Sequence, residues 1–161
     1  MDLEKKVGKS LLKRIRWGVV FGLLALIELM IIIVLLQPMS VGCEVQGNIC
    51  IVKSWVDPTK IKAGDEGSLL IEVKNVGTKD VDVNVSAISR EGVVFMNGSE
   101  EIGRGANDSY KSIGPGGIRT FAFTIKAEDD AHEGKYLFDI EVREGTNTAK
   151  DTTYVTIVKK K

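Results

Sequence analysis

The two cysteines are the residues whose types and spacing indicate chemistry most directly. Cys43 and Cys50 are seven positions apart in the segment GCEVQGNIC, in which Gly42 and Gly47 let the chain turn back on itself. A disulfide here closes a small loop, which stabilises a fold by roughly 2–3 kcal/mol on the chain-entropy model. Zinc is disfavoured because the only histidine, His132, is remote in sequence. We therefore predict the disulfide Cys43–Cys50 and no metal site.

Catalytic chemistry has little support in the sequence. An acidic turn that contains Glu128, Asp129, Asp130 and Glu133 offers oxygen ligands for calcium, but it lacks the spacing of an EF-hand loop. The chain also lacks a Gly-x-Ser-x-Gly elbow, a His-Glu-x-x-His motif and a phosphate-binding glycine loop. We predict that the protein is not an enzyme, has no catalytic residues and uses no cofactor.

Three asparagines lie in Asn-x-Ser triplets, which are acceptor motifs for N-linked glycans. They are Asn84, Asn97 and Asn107, and the last two fall in a polar, glycine-rich region at residues 97–117. Either these asparagines carry glycans or the triplets arise by chance in Asn-rich turns. A region this long without apolar periodicity is often functional. It is our candidate for recognition, through Asn97, Glu100, Glu101, Arg104, Asn107 and Tyr110.

An apolar segment at residues 17–36 is expected to hold the rest of the chain at a membrane. Its twenty residues, WGVVFGLLALIELMIIIVLL, span about 30 Å as a helix, which is the thickness of a bilayer core. We assign a transmembrane helix to residues 17–37. An uncleaved anchor is favoured over a signal peptide, whose apolar stretch is about 7–15 residues. A lipoprotein box at 40–43 and a prepilin site are weaker alternatives.

One ionisable residue, Glu28, lies near the middle of this apolar segment. A carboxylate at this depth costs a few kcal/mol on insertion scales, so it is either neutral or faces a partner. In the first interpretation, the Glu28 side chain is protonated and hydrogen-bonded within a very apolar helix. The second makes Glu28 a contact with another membrane protein.

Charge is distributed unevenly along the chain. Six of the 22 basic residues precede the apolar segment, and from residue 37 onward there are 16 bases and 19 acids. The positive-inside bias places a basic tail, residues 1–16, in the cytoplasm and the C-terminal part outside the cell. The mildly acidic external part offers no electrostatic footprint for nucleic acid, so we predict no nucleic-acid binding.

Beyond a membrane-proximal linker at 38–50, residues 51–161 show the pattern of an all-β domain. Short alternating runs are separated by Gly, Asn, Asp and Pro, which indicates an antiparallel sandwich. We predict seven strands, an immunoglobulin-like number, with Val155 and Ile157 closing the core against Trp55 and Val56. The polar region is either a mobile loop or carries a short edge strand near 109–113. The predicted strands are 49–56, 68–75, 80–89, 93–96, 118–126, 135–143 and 152–159.

Several turn-and-strand motifs resemble the CARDB-type domain, an adhesion-related, immunoglobulin-like module of bacterial and archaeal surface proteins. The resemblance covers residues 51–158 and implies a fold and a surface location more than a ligand. The layout of tail, helix and sandwich also resembles archaellum stator proteins, although no residue motif supports that likeness. The similar motifs are VDP at 56–58, AGD at 63–65, IEVKNVGT at 71–78, VDVNV at 81–85, GPGG at 114–117 and EGKY at 133–136.

These observations predict a single-pass protein of the cell membrane with its C-terminal domain outside. The first functional hypothesis is a non-catalytic adhesion or binding module that contacts an envelope protein, a glycan or a surface-layer component. The alternative is a structural subunit of a membrane or filament complex, stator-like or pilin-like, which assembles through its transmembrane helix.

Overall fold

A computed structural model describes residue 43 and residues 45–159 of the 161-residue chain. Within this part the chain forms eleven β-strands in two sheets. None of the described residues belongs to a helix long and apolar enough to cross a membrane. The predicted tail 1–16 and transmembrane helix 17–37, with Glu28, lie outside the described residues.

The two sheets differ in their number of strands. One has six strands in the order β1-β2-β4-β9-β6-β7, and the other has five in the order β3-β11-β10-β5-β8. Neighbouring strands are antiparallel except for β3 and β11, which pair in parallel. In chain order the strands are β1 (Val45–Gln46), β2 (Ile49–Asp57), β3 (Lys60–Lys62), β4 (Glu66–Asn75), β5 (Val81–Ser89), β6 (Val93–Asn97), β7 (Glu100–Gly103), β8 (Gly105–Ile113), β9 (Ile118–Ala127), β10 (Gly134–Glu144) and β11 (Asn147–Val158).

The all-β sandwich is confirmed, but the predicted number of seven strands is wrong. The four additional strands, β1, β3, β7 and β8, are the four edges of the two sheets. Edge strands need bury little, so their sequences carry no clear alternation of apolar and polar residues. The expected antiparallel arrangement fails only at the β3–β11 pair. The polar region is not a mobile loop, because its edge strand occupies Gly105–Ile113 and β7 precedes it.

One hydrophobic core lies between the two sheets, and the period-two pattern of the sequence builds it. Leu69, Ile71 and Val73 are fully buried in β4, as their alternation predicts. The ring of Phe95 packs edge-on against Phe123 of its own sheet, with centroids 6.1 Å apart. It also packs against Phe138 of the opposite sheet at 6.0 Å, so aromatic contacts join the two layers.

Trp55 was expected in the core, and this expectation is wrong. The pairing of β2 with β4 shifts register between Ile51 and Lys53, so that an extra residue is accommodated in β2. A bulge of this kind reverses which side chains of a strand face inward. Val56 consequently enters the core, whereas Trp55 lies half-buried opposite Leu70, with the Lys53 ammonium 4.2 Å from its ring.

A buried asparagine at the end of β4 holds two chain segments together. The Asn75 side-chain nitrogen donates hydrogen bonds to the carbonyl oxygens of Lys79 (2.7 Å) and Ile113 (2.8 Å). Its side-chain oxygen accepts one from the backbone N–H of Gly77 (2.8 Å). Asn75 is fully buried, so these contacts satisfy polar groups that water does not reach. They fix the β4–β5 turn and the end of β8 to each other.

Replacing Asn75 with alanine should lower the free energy of unfolding by about 2–4 kcal/mol, because three backbone groups lose their partner in a buried site. Urea denaturation of the full-length protein, followed by far-ultraviolet circular dichroism, measures the change. The matched control is Asn107→Ala at an exposed position, which should change stability by less than about 0.5 kcal/mol. Equal stability of the two variants would contradict this role of Asn75.

Candidate functional site

An open groove with a volume of about 740 Å³ runs along one side of the sandwich. We call it the side groove. Its walls come from both sheets, because the chain crosses from β7 in one sheet to β8 in the other at this side. The lining consists of residues 86–88, 95–98, 105–108 and 122–124 together with Ile102.

The floor of the side groove is the edge of the hydrophobic core. The core aromatics Phe95 and Phe123 lie in its lining, together with the small residues Ala87 and Ala106. Ile102 is 48% exposed there. Ile88 is exposed there as well, whereas Phe95 and Phe123 are buried. Exposed apolar side chains surrounded by polar residues are typical of a binding site. The sequence contained one signal for it, since Ile102 is a large apolar residue with polar and glycine residues on both sides.

Five of the six predicted recognition residues lie on or beside the edge strands β7 and β8. Asn97 and Asn107 line the side groove. Glu100 and Glu101 lie on the neighbouring edge strand β7, where both are exposed. Tyr110 lies further along β8, and its ring stacks under the Arg119 guanidinium at 4.1 Å. All five residues therefore lie on the edge strands β7 and β8 or at the turn that leads into β7.

Arg104, the sixth predicted recognition residue, makes several intramolecular contacts, and its role in recognition stays a prediction. Its guanidinium donates hydrogen bonds to the backbone oxygen of Arg90 (3.1 Å) and to the carboxylate of Glu128 (3.3 Å). Its own backbone oxygen accepts from the N–H of the buried Ser89 at 2.9 Å. These bonds connect the crossing between the sheets to two turns. Arg104 therefore stabilises the frame of the groove and is already occupied by intramolecular contacts.

The predicted glycosylation motifs at Asn84 and Asn107 lie side by side on the outer face of the five-stranded sheet. In the β5–β8 pair, Asn84 is opposite Ser109, and Ser86 is opposite Asn107. The two Asn-x-Ser motifs therefore run antiparallel, with the asparagine of each opposite the serine of the other. Asn97 ends β6, at the turn into β7. Modification of these asparagines stays a prediction.

The predicted disulfide is confirmed, and it belongs to a hairpin that is fastened to the sandwich. Cys43 and Cys50 are bonded, and Val45 pairs with Cys50 across the β1–β2 hairpin. The Glu144 carboxylate accepts hydrogen bonds from the Asn48 side chain (2.8 Å) and backbone (3.2 Å). These bonds lower the pKa of Glu144, because they favour its charged form; the Asn147 side chain adds a further bond at 3.1 Å.

The acidic residues of the described chain do not gather into a metal site. Among residues 43 and 45–159, no three His, Cys, Asp or Glu side chains form a group that could hold a metal ion. His132 uses its backbone oxygen to accept a hydrogen bond from the Tyr136 hydroxyl at 2.8 Å. The turn that contains Glu128 is linked to Arg104 instead.

Comparison with known proteins gives similarities of overall shape at low sequence identity. No family model and no curated protein matches the chain. The C-terminal domain of Wzt is 18% identical, with a TM-score of 0.48, over 72% of this chain and 77% of that one. A CARDB domain from Pyrococcus furiosus, in complex with di-metal ions, is 17% identical, with a TM-score of 0.44, over 67% and 93%.

This chain matches only a small part of some of the similar proteins. The alkylpurine DNA glycosylase AlkC of Pseudomonas fluorescens, bound to DNA, is 14% identical with a TM-score of 0.46. The match covers 73% of this chain but 32% of the glycosylase. A family 123 glycoside hydrolase from Clostridium perfringens is matched over 22% of its length. None of these similarities assigns the chain to a family or to a function.

The hydrogen bonds at Glu144 give a prediction for acid conditions. A carboxyl group with a lowered pKa contributes its full stabilisation above its ordinary pKa of about 4.3, and this is lost as pH falls through the lowered value. Glu144→Gln should therefore cost up to about 1 kcal/mol at pH 7. The difference from the wild type should shrink steadily below pH 4, as measured by urea denaturation across pH.

The control for this measurement is Glu133→Gln, at an exposed turn position, which should change stability little at either pH. A difference between wild type and Glu144→Gln that stays constant from pH 7 to pH 3 would contradict the ionic role of Glu144.

Proposed function

We propose that this protein is a membrane-anchored, non-catalytic binding module whose sandwich engages another component of the cell envelope. The observation that carries the proposal is the side groove, where the exposed apolar side chains of Ile88 and Ile102 lie among polar residues. Burial of apolar surface is the main favourable term in most protein association. A partner that covered this groove would remove that surface from water.

The sequence supports the anchoring part of this proposal. Twenty apolar residues at 17–36 follow a basic tail, and this order favours a helix with its N-terminus in the cytoplasm. The sandwich would then lie outside the cell, where an envelope protein, a glycan or a surface-layer component is accessible. The turn-and-strand motifs that resemble the CARDB-type module agree with a surface location and an immunoglobulin-like classification.

A second candidate function rests on Glu28. A carboxylate in the middle of an apolar segment is expected to find a partner within the membrane. The protein would then be a structural subunit of a membrane or filament complex, and its helix would carry the assembly. The two candidates differ in which surface is essential for association.

Two single variants of the full-length protein distinguish these functions. Ile102→Asp places a charge in the side groove at an exposed position, and Glu28→Leu removes the carboxylate from the apolar segment. Affinity capture of the tagged protein from its native membrane, with mass identification, measures association. We expect Ile102→Asp to lower the recovery of specific partners at least tenfold and Glu28→Leu to leave it unchanged.

The control is Thr152→Asp, an exposed position on the outer face of the five-stranded sheet, which should retain all partners. Loss of partners only with Glu28→Leu would favour the structural subunit. Retention of partners by all three variants would contradict both functions.

A further inference from the structure

Two strand edges border the side groove, and neither is fully paired within the described residues. β9 pairs with β4 from Ile118 to Lys126, but β6 pairs with it only at residues 124–127. β6 is short because the chain turns back after Asn97. On the opposite wall, β8 is the last strand of the five-stranded sheet and pairs only with β5. The groove therefore lies between two strand edges that are not paired with a neighbouring strand along part of their length.

The hydrogen-bond phase of β8 determines which backbone groups face the groove side. Ser89 donates its N–H to the oxygen of Arg104, and pairs in an antiparallel ladder alternate between bonded and non-bonded. Alternate residues from Ala106 onward therefore bond to β5. Gly105 and Asn107 direct their N–H and C=O groups away from β5, as an edge strand does at every second residue.

Asp108 limits the length of the β8 edge that can pair with another strand. Its carboxylate accepts a hydrogen bond from the N–H of Ser109 at 2.7 Å, so the next outward N–H along β8 is already occupied. Asp108 is also the only charged residue in the lining of the side groove. One strand edge, an apolar floor and one negative charge are thus combined in a single concave surface.

Two exposed apolar side chains lie in this surface. Among the described residues, eight large hydrophobic side chains are exposed. Two of them, Ile88 and Ile102, line the side groove. Tyr110 lies beyond Asp108 on β8, and Ile118 begins the unpaired half of β9. A ligand along the groove would cover Ile88 and Ile102.

We propose that the side groove binds an extended segment of a partner protein, which adds to β8 as a further strand. This inference rests on the proposed function and names its binding mode. Outward-facing backbone groups at every second residue match those of another strand, whose alternate side chains supply specificity. Sugar hydroxyls have no such repeat, so a polypeptide fits this edge better than a glycan does.

The lining defines the chemistry of the added segment. Its hydrogen bonds form at Gly105 and Asn107, and its inward side chains are apolar because they cover the exposed Ile102. One inward side chain is lysine or arginine, because Asp108 lies on that face of β8 opposite Val85. A buried carboxylate without a counter-charge would disfavour binding, and the cation offsets this cost.

Site-specific photo-crosslinking in the native membrane tests the proposal. A benzoylphenylalanine replaces Ile102 in the full-length protein, and the adduct is mapped by mass spectrometry. We expect a crosslink to a polypeptide segment with alternating apolar residues and a lysine or arginine. The same crosslinker at Thr152, on the outer face of the five-stranded sheet and away from β8, should give no such adduct.

Two further substitutions make the test specific for strand addition. Asn107→Pro removes an outward N–H without removing a bond to β5, and edge strands tolerate proline at such a position. It should lower the crosslink yield at least tenfold while the circular dichroism spectrum is retained. Asp108→Lys, which does not depend on backbone geometry, should lower the yield at least fivefold by charge repulsion.

An adduct with lipid, with a glycan or with a second copy of this chain would overturn the proposal. So would a crosslink yield that neither Asn107→Pro nor Asp108→Lys changes. If Ile102→Asp still abolishes capture in that case, the groove binds by another mode and the proposed function stands. If Ile102→Asp has no effect on capture, the proposed function fails as well.

Discussion

The packing of one apolar face of each sheet against the other is the interaction on which the remaining features of the domain depend. Phe95 occupies the centre of this interface, because its ring contacts both Phe123 in its own sheet and Phe138 in the opposite one. Fully burying a large apolar side chain contributes about 1.5–3 kcal/mol. Turns, edges and hairpins are held in place because the strands they connect must keep these side chains inside.

Polar contacts act at the ends and crossings of the strands, where apolar packing alone does not fix the chain. Asn75 joins the β4–β5 turn to the end of β8, and Arg104 joins the crossing between the sheets to two other turns. Glu144 fastens the disulfide hairpin. Each contact joins segments that are distant in sequence, so each restricts how the sheets and turns are placed relative to one another.

The side groove follows from the way the two sheets close. β6 ends after five residues, and the chain moves through β7 to β8 in the other sheet. The buried Phe95 and Phe123 consequently lie close to strand edges. A stable sandwich can tolerate such an opening because most of its core is fully buried. The same opening supplies a surface that another strand can cover.

The sequence by itself determined the all-β class, the seven strands with apolar alternation and the Cys43–Cys50 bridge. These features are local, since period-two alternation and short cysteine spacing are readable within a few residues. Tertiary structure decided the four edge strands, because they bury too little to show a pattern. It also decided that Val56, rather than Trp55, faces inward, since the bulge in β2 depends on its pairing with β4. The occupied guanidinium of Arg104 and the groove beside Asn107 depend on contacts between distant segments, which no local pattern encodes.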